Sequence, residues 1–336
     1  MERRIIGVKV AAAGANKKPG VSPHPAVQQL QVDEESAGQR LDNFLLRHLK
    51  GVPKTHVYRV IRSGEVRVNK GRASADTRVA AGDVVRVPPV RMADKPAVAA
   101  APAREFPVLF EDDHLLAIAK PAGVAVHGGS GVSSGVIEQL RQARPQAKFL
   151  ELVHRLDKET SGVLLLAKKR SALTNVQDQF RARDTGKHYQ ALVWGAWPKN
   201  LKVIDQPLHK TLDAAGERHV RVVSPAHEDG RRSITLVRAM RAVPTSEGDC
   251  TLLDIALKTG RTHQIRVHLA HAGHPIVGDP KYGDFERNRA IARGPQRFAR
   301  MFLHARELAF DHPASGERMA LQAPLPPECA TLLPAS

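Results

Sequence analysis

The chain has 336 residues, enough for about two domains. Its 51 Lys and Arg outnumber 34 Asp and Glu, leaving a formal charge of +17 and an isoelectric point near 10.3, so a polyanion is the expected partner, with nucleic acid ahead of an anionic membrane. No uninterrupted run of about 18 apolar residues supports a membrane span, and no basic amphipathic helix presents Trp or Phe for surface anchoring.

Cys250 and Cys329 lie far apart and define neither a disulfide framework nor a four-cysteine zinc site. Arg3 and Arg4 precede apolar residues, but Lys9 breaks the run and argues against a signal peptide. A reduced, cytoplasmic setting is expected.

In chain order, residues 1–34 mix Ala, Gly, Pro and Lys without periodicity and are expected to form a disordered basic tail. Leu41, Phe44, Leu45 and Leu49 then recur at helical spacing, and a second short helix carries Val57, Val60 and Ile61 and ends at Gly64. Val66 and Val68 alternate with polar residues, Asn69-Lys70-Gly71 supplies a turn, and Asp83 to Val87 alternates again as a strand. Two helices followed by short strands, with GQRLDNFL and SGEVRVNKGR, resemble the S4 RNA-binding domain over residues 35–88. Between residues 40 and 87 eleven Lys or Arg face four acids, a charge density suited to a phosphate backbone or, more plainly, to a solvated helix face. Arg40, Lys54, Arg59, Arg62, Arg67, Lys70 and Arg72 are the candidate RNA contacts. Residues 89–104, rich in Pro and Ala, are expected to be a semi-rigid linker.

From residue 105 to 336, strand-like runs (Leu115 to Ala119, Gln190 to Val193, Leu252 to Leu257) mix with fewer helical stretches such as Ser171 to Arg181, which predicts an α+β domain on an antiparallel or mixed sheet. Between two apolar runs, Phe149 to Val153 and Val163 to Ala167, stands HRLDKETSG, residues 154–162. Asp157, flanked by Arg155 and Lys158, is either a carboxylate kept ionised for nucleophilic or basic work or part of a surface turn with a local ion pair.

HRLDKETSG is similar to the signature of the RluA family of pseudouridine synthases, and further likeness lies in EDDHLLAIAKPAGVAVH (111–127), KHYQALVWG (187–195), KTGRTHQIRVHL (258–269) and GHPIVGDPKYGD (273–284). VHGGSG (126–131) and the preceding S4-like region bring the chain nearest to the RluC type. The resemblance implies the pseudouridine synthase fold, a long bent mixed sheet, mainly antiparallel, with flanking helices. It also implies isomerisation of uridines in large-subunit ribosomal RNA. Asp157 then becomes the catalytic carboxylate, Arg261 the guanidinium that holds it, and Tyr189 the aromatic under the target uracil. His154, Arg155, His263, Gln264 and Leu303 fall to substrate binding, with Arg155 as the wedge that fills the gap left by an extruded base and Leu303 as apolar cover. The plainer alternatives are an Arg261 bound to an RNA phosphate, a core Tyr189 and a core Leu303.

Breaking the bond from ribose C1′ to N1, turning the base and rejoining it through C5 involves no net redox and no net hydrolysis, so no cofactor is expected. His263, His268, His271 and His274 could suggest zinc, but no HExxH occurs, and alternation around Ile265, Val267 and Leu269 predicts a strand with His268 on the side of Arg266. Gly128-Gly129-Ser130-Gly131 lacks the Gly-Lys-Ser/Thr ending of a P-loop, so ATP use is not expected. Ribosomal RNA is the expected partner, the protein a monomer. A noncatalytic RNA-binding or ribosome-assembly protein is the main alternative, and a His-dependent metal hydrolase a third.

Overall fold

The computed structural model describes residues 26–90, 101–129, 133–212 and 218–333, apart from 35 and 50. Two compact units, Met1–Pro96 and Ala97–Ser336, make up the chain. Among the described residues no helix is long and apolar enough to cross a membrane.

The first unit runs β1 (Gln28–Gln31), α1 (Leu41–His48), α2 (Lys54–Arg62), β2 (Arg67–Val68), β3 (Gly71–Arg72) and β4 (Val84–Val87), with sheet order β1-β4-β2-β3. Leu41, Phe44 and Leu45 of α1 and Val57, Val60 and Ile61 of α2 share one core with Val66, Val85 and Val87, which is why the helical and alternating patterns were both readable. Gly64, at φ +75°, turns the chain out of α2. Strand β1 lies within the stretch expected to be tail. It pairs antiparallel with β4 at the sheet edge and is mostly exposed, so it carries no apolar alternation to betray it. Residues 1–25 of the expected tail and 91–100 of the expected linker lie outside the described residues.

The second unit contains β5 (Val108–Glu111), β6 (Leu115–Lys120), α3 (Val136–Ala143), β7 (Glu151–Leu152), β8 (Ser161–Ala167), α4 (Arg170–Ala182), β9 (Gly186–Trp194), β10 (Val203–Asp205), β11 (Leu208–Leu212) and β12 (Arg218–Val222). It continues through β13 (Ile234–Thr245), β14 (Gly248–Leu257), α5 (Gln264–His271), α6 (Phe285–Arg293), β15 (Leu303–Asp311), β16 (Arg318–Gln322) and α7 (Pro327–Ala330). The main sheet is ordered β10-β13-β14-β9-β15-β8-β6-β5, with β7 beside β8 and β16 beside β15, while β11 and β12 form a separate hairpin. Among the described strands only β8 and β15 pair in parallel. The architecture is α+β, with a mixed and mainly antiparallel sheet.

Strand β8 is buried at every position. Val163, Leu165 and Ala167 pack with Ala172, Leu173 and Val176 of α4, while Leu164 and Leu166 pack with Val136, Ile137 and Leu140 of α3. Coverage on both faces explains its unbroken apolar run. Gly162 approaches β15 so closely that an added Cβ would collide with the Ala305 carbonyl, and its φ of +121° further favours glycine.

The strand expected around residues 263–269 is a helix instead. Every residue from Gln264 to Leu269 in α5 is buried, so all sides of its first six residues are covered and the sequence there shows no 3.6-residue apolar stripe. Helical geometry puts His268 and Arg266 on opposite sides rather than together.

Candidate active site

The turn between β7 and β8 carries Asp157 and is pinned from four directions. Leu156 is buried in the core beside α3. The fully buried Lys120 at the end of β6 donates from Nζ to the carbonyls of Pro121 (2.8 Å), Val124 (2.7 Å) and Lys158 (3.1 Å). Burial pushes the Lys120 amine down to about 7, opposed by Glu159 and Asp157. Ser161 is held by Arg300 Nη2, which donates to its Oγ at 2.7 Å, and by His304 Nδ1 at 3.0 Å. His154 stacks on Phe180, with ring centroids 5.3 Å apart, and its Nε2 accepts from the Leu165 amide at 3.1 Å.

His154 therefore serves the loop's structure as a neutral acceptor while one edge lines the cleft. Burial drives its pKa down to about 4. The folded value lies below the unfolded one, so the unfolded chain binds the extra proton first, and stability falls as pH drops from about 6.5 toward 4. Urea unfolding at pH 7 and pH 4.5 should show wild type losing on the order of 2 kcal/mol more than His154→Gln, which cannot titrate. Parallel losses in both proteins would assign the acid sensitivity to other groups.

Asp157 opens onto a cleft of about 550 Å³. Arg266 Nη1, from the first turn of α5, donates to Asp157 Oδ2 at 3.2 Å. The same guanidinium grips Asp279 bidentately, Nε to Oδ2 and Nη2 to Oδ1, each at 2.8 Å. Asp279 is completely buried and also accepts the amides of Lys281 (2.8 Å) and Tyr282 (3.0 Å). Burial works against the charge on Arg266, but Asp279 and then Asp157 outweigh it and raise its pKa. Arg266 is thus a permanent cation with one plane spent on the fold and one N–H aimed at Asp157. Its guanidinium carbon also lies 5.1 Å from the Tyr282 ring centroid.

The cation that meets Asp157 is consequently Arg266, five positions beyond the expected Arg261. Arg261 lines the cleft but remains exposed, and its backbone N–H donates to Gln264 Oε1 at 3.1 Å. Gln264 is buried and accepts from Thr259 Oγ1 (2.8 Å) while donating to the Ile234 carbonyl and Thr235 Oγ1 (3.0 Å each). With those partners it fixes the 259–264 turn rather than waiting for substrate. His263, at φ +53°, places Nε2 3.9 Å from Asp157 Oδ2 and Nδ1 2.8 Å from the Tyr282 hydroxyl. Burial lowers its pKa against the pull of Asp157, with Arg266 pushing the same way as burial.

Tyr189 and Leu303 reach the cleft from the adjacent strands β9 and β15. Burial raises the Tyr189 pKa, and the charge of Asp157 adds to it, so the phenol stays protonated. Its hydroxyl makes no hydrogen bond within the described residues, leaving an apolar ring with one open polar atom. Arg155 is exposed at the rim. Across the lining, Arg155, Arg181, Arg183, Lys187, Lys258, Arg261 and Arg266 face Asp157 as the sole acid. Burial, with like charge from Arg183 and Lys258, lowers the pKa of Lys187.

The other sequence candidates are dispersed. His268 bonds Thr235 Oγ1 (2.9 Å) and the Gln206 carbonyl (3.0 Å), and His274 bonds the Trp194 carbonyl at 2.9 Å. Among the described residues no cluster of three His, Cys, Asp or Glu could hold a metal ion. Ser130 and Gly131 lie outside the described residues. In the first unit, Arg40 is engaged by Asp42 (2.8 Å), Arg72 donates to the Ser63 carbonyl (3.2 Å), and Arg59 lies 3.8 Å from Glu65. Lys54, Arg62 and Lys70 are exposed and Arg67 is half-buried, all four without a side-chain partner among the described residues.

The mixed-sheet unit thus holds a carboxylate clamped by a guanidinium in a cation-lined cleft, an arrangement suited to a polyanionic substrate. The RNA pseudouridylate synthase family model matches residues 114–271, and the S4 domain model matches residues 39–85. The ribosomal large subunit pseudouridine synthase C of Yersinia pestis is 50% identical over 308 residues, covering 90% of this chain and 93% of that protein. That of Escherichia coli (strain K12) is 48% identical over 307 residues, covering 90% and 94%. The solved structure of human RNA pseudouridylate synthase domain containing 4 superposes with a TM-score of 0.54 at 28% identity, covering 67% of this chain and 91% of that one. This chain belongs to the RNA pseudouridylate synthase family.

Proposed function

We propose that the protein isomerises specific uridines of large-subunit (23S) ribosomal RNA to pseudouridine, with Asp157 as the catalytic carboxylate. The observation that carries this reading is the 3.2 Å contact from Arg266 to Asp157 inside a cleft that also presents Tyr189 and Leu303. The guanidinium keeps the carboxylate anionic and aimed. The Tyr189 ring and Leu303, diagonal neighbours on one face of β9 and β15, offer an apolar floor on which a uracil detached from its ribose would turn with water kept away. Over the reaction the C1′–N1 bond breaks, a C1′–C5 bond forms, C5 gives up its proton and N1 gains one, so no redox partner is required.

A uridine stacked in folded RNA must leave its stack to reach Asp157. Arg155, exposed two residues away on the rim, is suited to fill the space it vacates. The basic first unit, through Lys54, Arg62, Arg67 and Lys70, supplies sequence-independent phosphate contacts. A ribosomal RNA substrate favours the cytoplasm, and action as a monomer is part of the same proposal. The relatives named as ribosomal large subunit pseudouridine synthase C support the choice of RNA.

Mapping pseudouridines in large-subunit ribosomal RNA from cells with and without this protein tests the reading. Specific positions should lose modification on deletion and regain it with the wild-type protein. An unchanged map would exclude it.

A further inference from the structure

We propose that Arg261, released from the role of holding Asp157, binds the RNA phosphodiester next to the target uridine, in a second groove formed with the β11–β12 hairpin. This rests on the catalytic reading above and names how that same site grips its substrate beyond the reacting nucleotide.

The second groove has a volume of about 410 Å³, and Arg261 and Thr262 belong to its walls as well as to those of the Asp157 cleft. Its far wall comes from the hairpin and the segment after it, with Lys210 and Arg231 exposed there against one acid, Asp229. Arg261, Lys210 and Arg231 have no side-chain partner among the described residues. Three exposed cations left unpaired around a groove that opens from a nucleotide-sized cleft suit an anion continuous with the bound nucleotide, and in a polynucleotide that anion is the adjoining phosphate.

The groove is also held in place relative to Asp157. Leu208 and Val220 of the hairpin pack on Val267, the neighbour of Arg266. The Val220 amide donates to the Tyr282 hydroxyl at 3.2 Å, and that hydroxyl meets His263 Nδ1 at 2.8 Å. Gln264 fixes the Arg261 backbone through the bond to its N–H. Arg261 therefore projects from a rigid turn between two walls that share their supports, as a phosphate-positioning group requires.

The test uses the full-length protein with an RNA oligonucleotide substrate in which one linkage at a time is replaced by a neutral methylphosphonate. Arg261→Gln should raise KM about tenfold, keep kcat within about twofold, and reduce the log–log salt slope of binding by about one contact. One neutral linkage beside the target should raise the wild-type KM to a similar extent and have little further effect in Arg261→Gln, the non-additive signature of a direct contact. Lys210→Gln/Arg231→Gln should lower the salt slope again. A loss confined to kcat would return Arg261 to the chemistry, and additive effects at every linkage would overturn the subsite. Either result would leave the catalytic reading standing so long as wild type forms pseudouridine.

Discussion

Asp157→Asn should abolish pseudouridine formation, by on the order of 10⁴-fold or more, while leaving the fold and RNA binding close to wild type. Asparagine preserves shape, and the single ionic hydrogen bond it weakens is the 3.2 Å contact to Arg266, which keeps its two bonds to Asp279. Removing the sole acid from a lining with seven Lys or Arg should leave RNA affinity unchanged or slightly raised. The measurement pairs single-turnover pseudouridine formation with a filter-binding or anisotropy titration of the same RNA. Residual turnover within tenfold of wild type would remove Asp157 from the chemistry, and lost binding would make it a docking residue.

Arg266→Met should fail in two ways at once. It strands Asp279, which is completely buried, and unpairing a buried charge costs about 3 kcal/mol or more. For a unit of this size that is roughly 6–12 °C in Tm. The variant also leaves Asp157 without its guanidinium, and turnover should drop by on the order of 10²-fold or more. The double variant Arg266→Met/Asp279→Asn separates the two losses, since a neutral amide at 279 removes the stranded charge. Thermal stability should return substantially in the double variant while turnover stays low. If turnover returned along with Tm, Arg266 would be a purely structural residue.

Much of the site was legible because its parts fall in short blocks where polar residues interrupt apolar runs. HRLDKETSG stood out since it places a charged turn directly before the fully buried strand β8. Tyr189 was nameable from KHYQALVWG and Leu303 from the shorter FLHA (302–305), and the structure brings both to the cleft of Asp157. Arg261 was taken from the resemblance in KTGRTHQIRVHL, a block with two arginines five residues apart, and the strand expected around Ile265, Val267 and Leu269 hid the helical turn that aims Arg266 at Asp157.

Asp279 lay in GHPIVGDPKYGD but could not be singled out, because an acid whose partner is 13 residues away leaves no local spacing signal. Nothing in the sequence around Lys120 signals the three carbonyls that converge on its Nζ. Gln264 and His154 were assigned to the substrate through the family resemblance, yet hydrogen bonds to neighbouring segments engage Gln264 and the Nε2 of His154 in the fold. Polar residue type marks where a site is. Division of labour within it depends on which atoms are already engaged.

The close approach of Gly162 to Ala305 carries a consequence for how such sites are transferred and diversified. Because that glycine lets β15 settle against the end of the turn, a side chain at 162 should push β15, and Leu303 with it, away from the turn that carries Asp157. Grafting the nine-residue segment onto a foreign scaffold would move the carboxylate without the opposing strand that gauges the opening. Redesign toward a bulkier nucleobase should therefore begin with the spacing of these two parallel strands before any change to the reactive group itself.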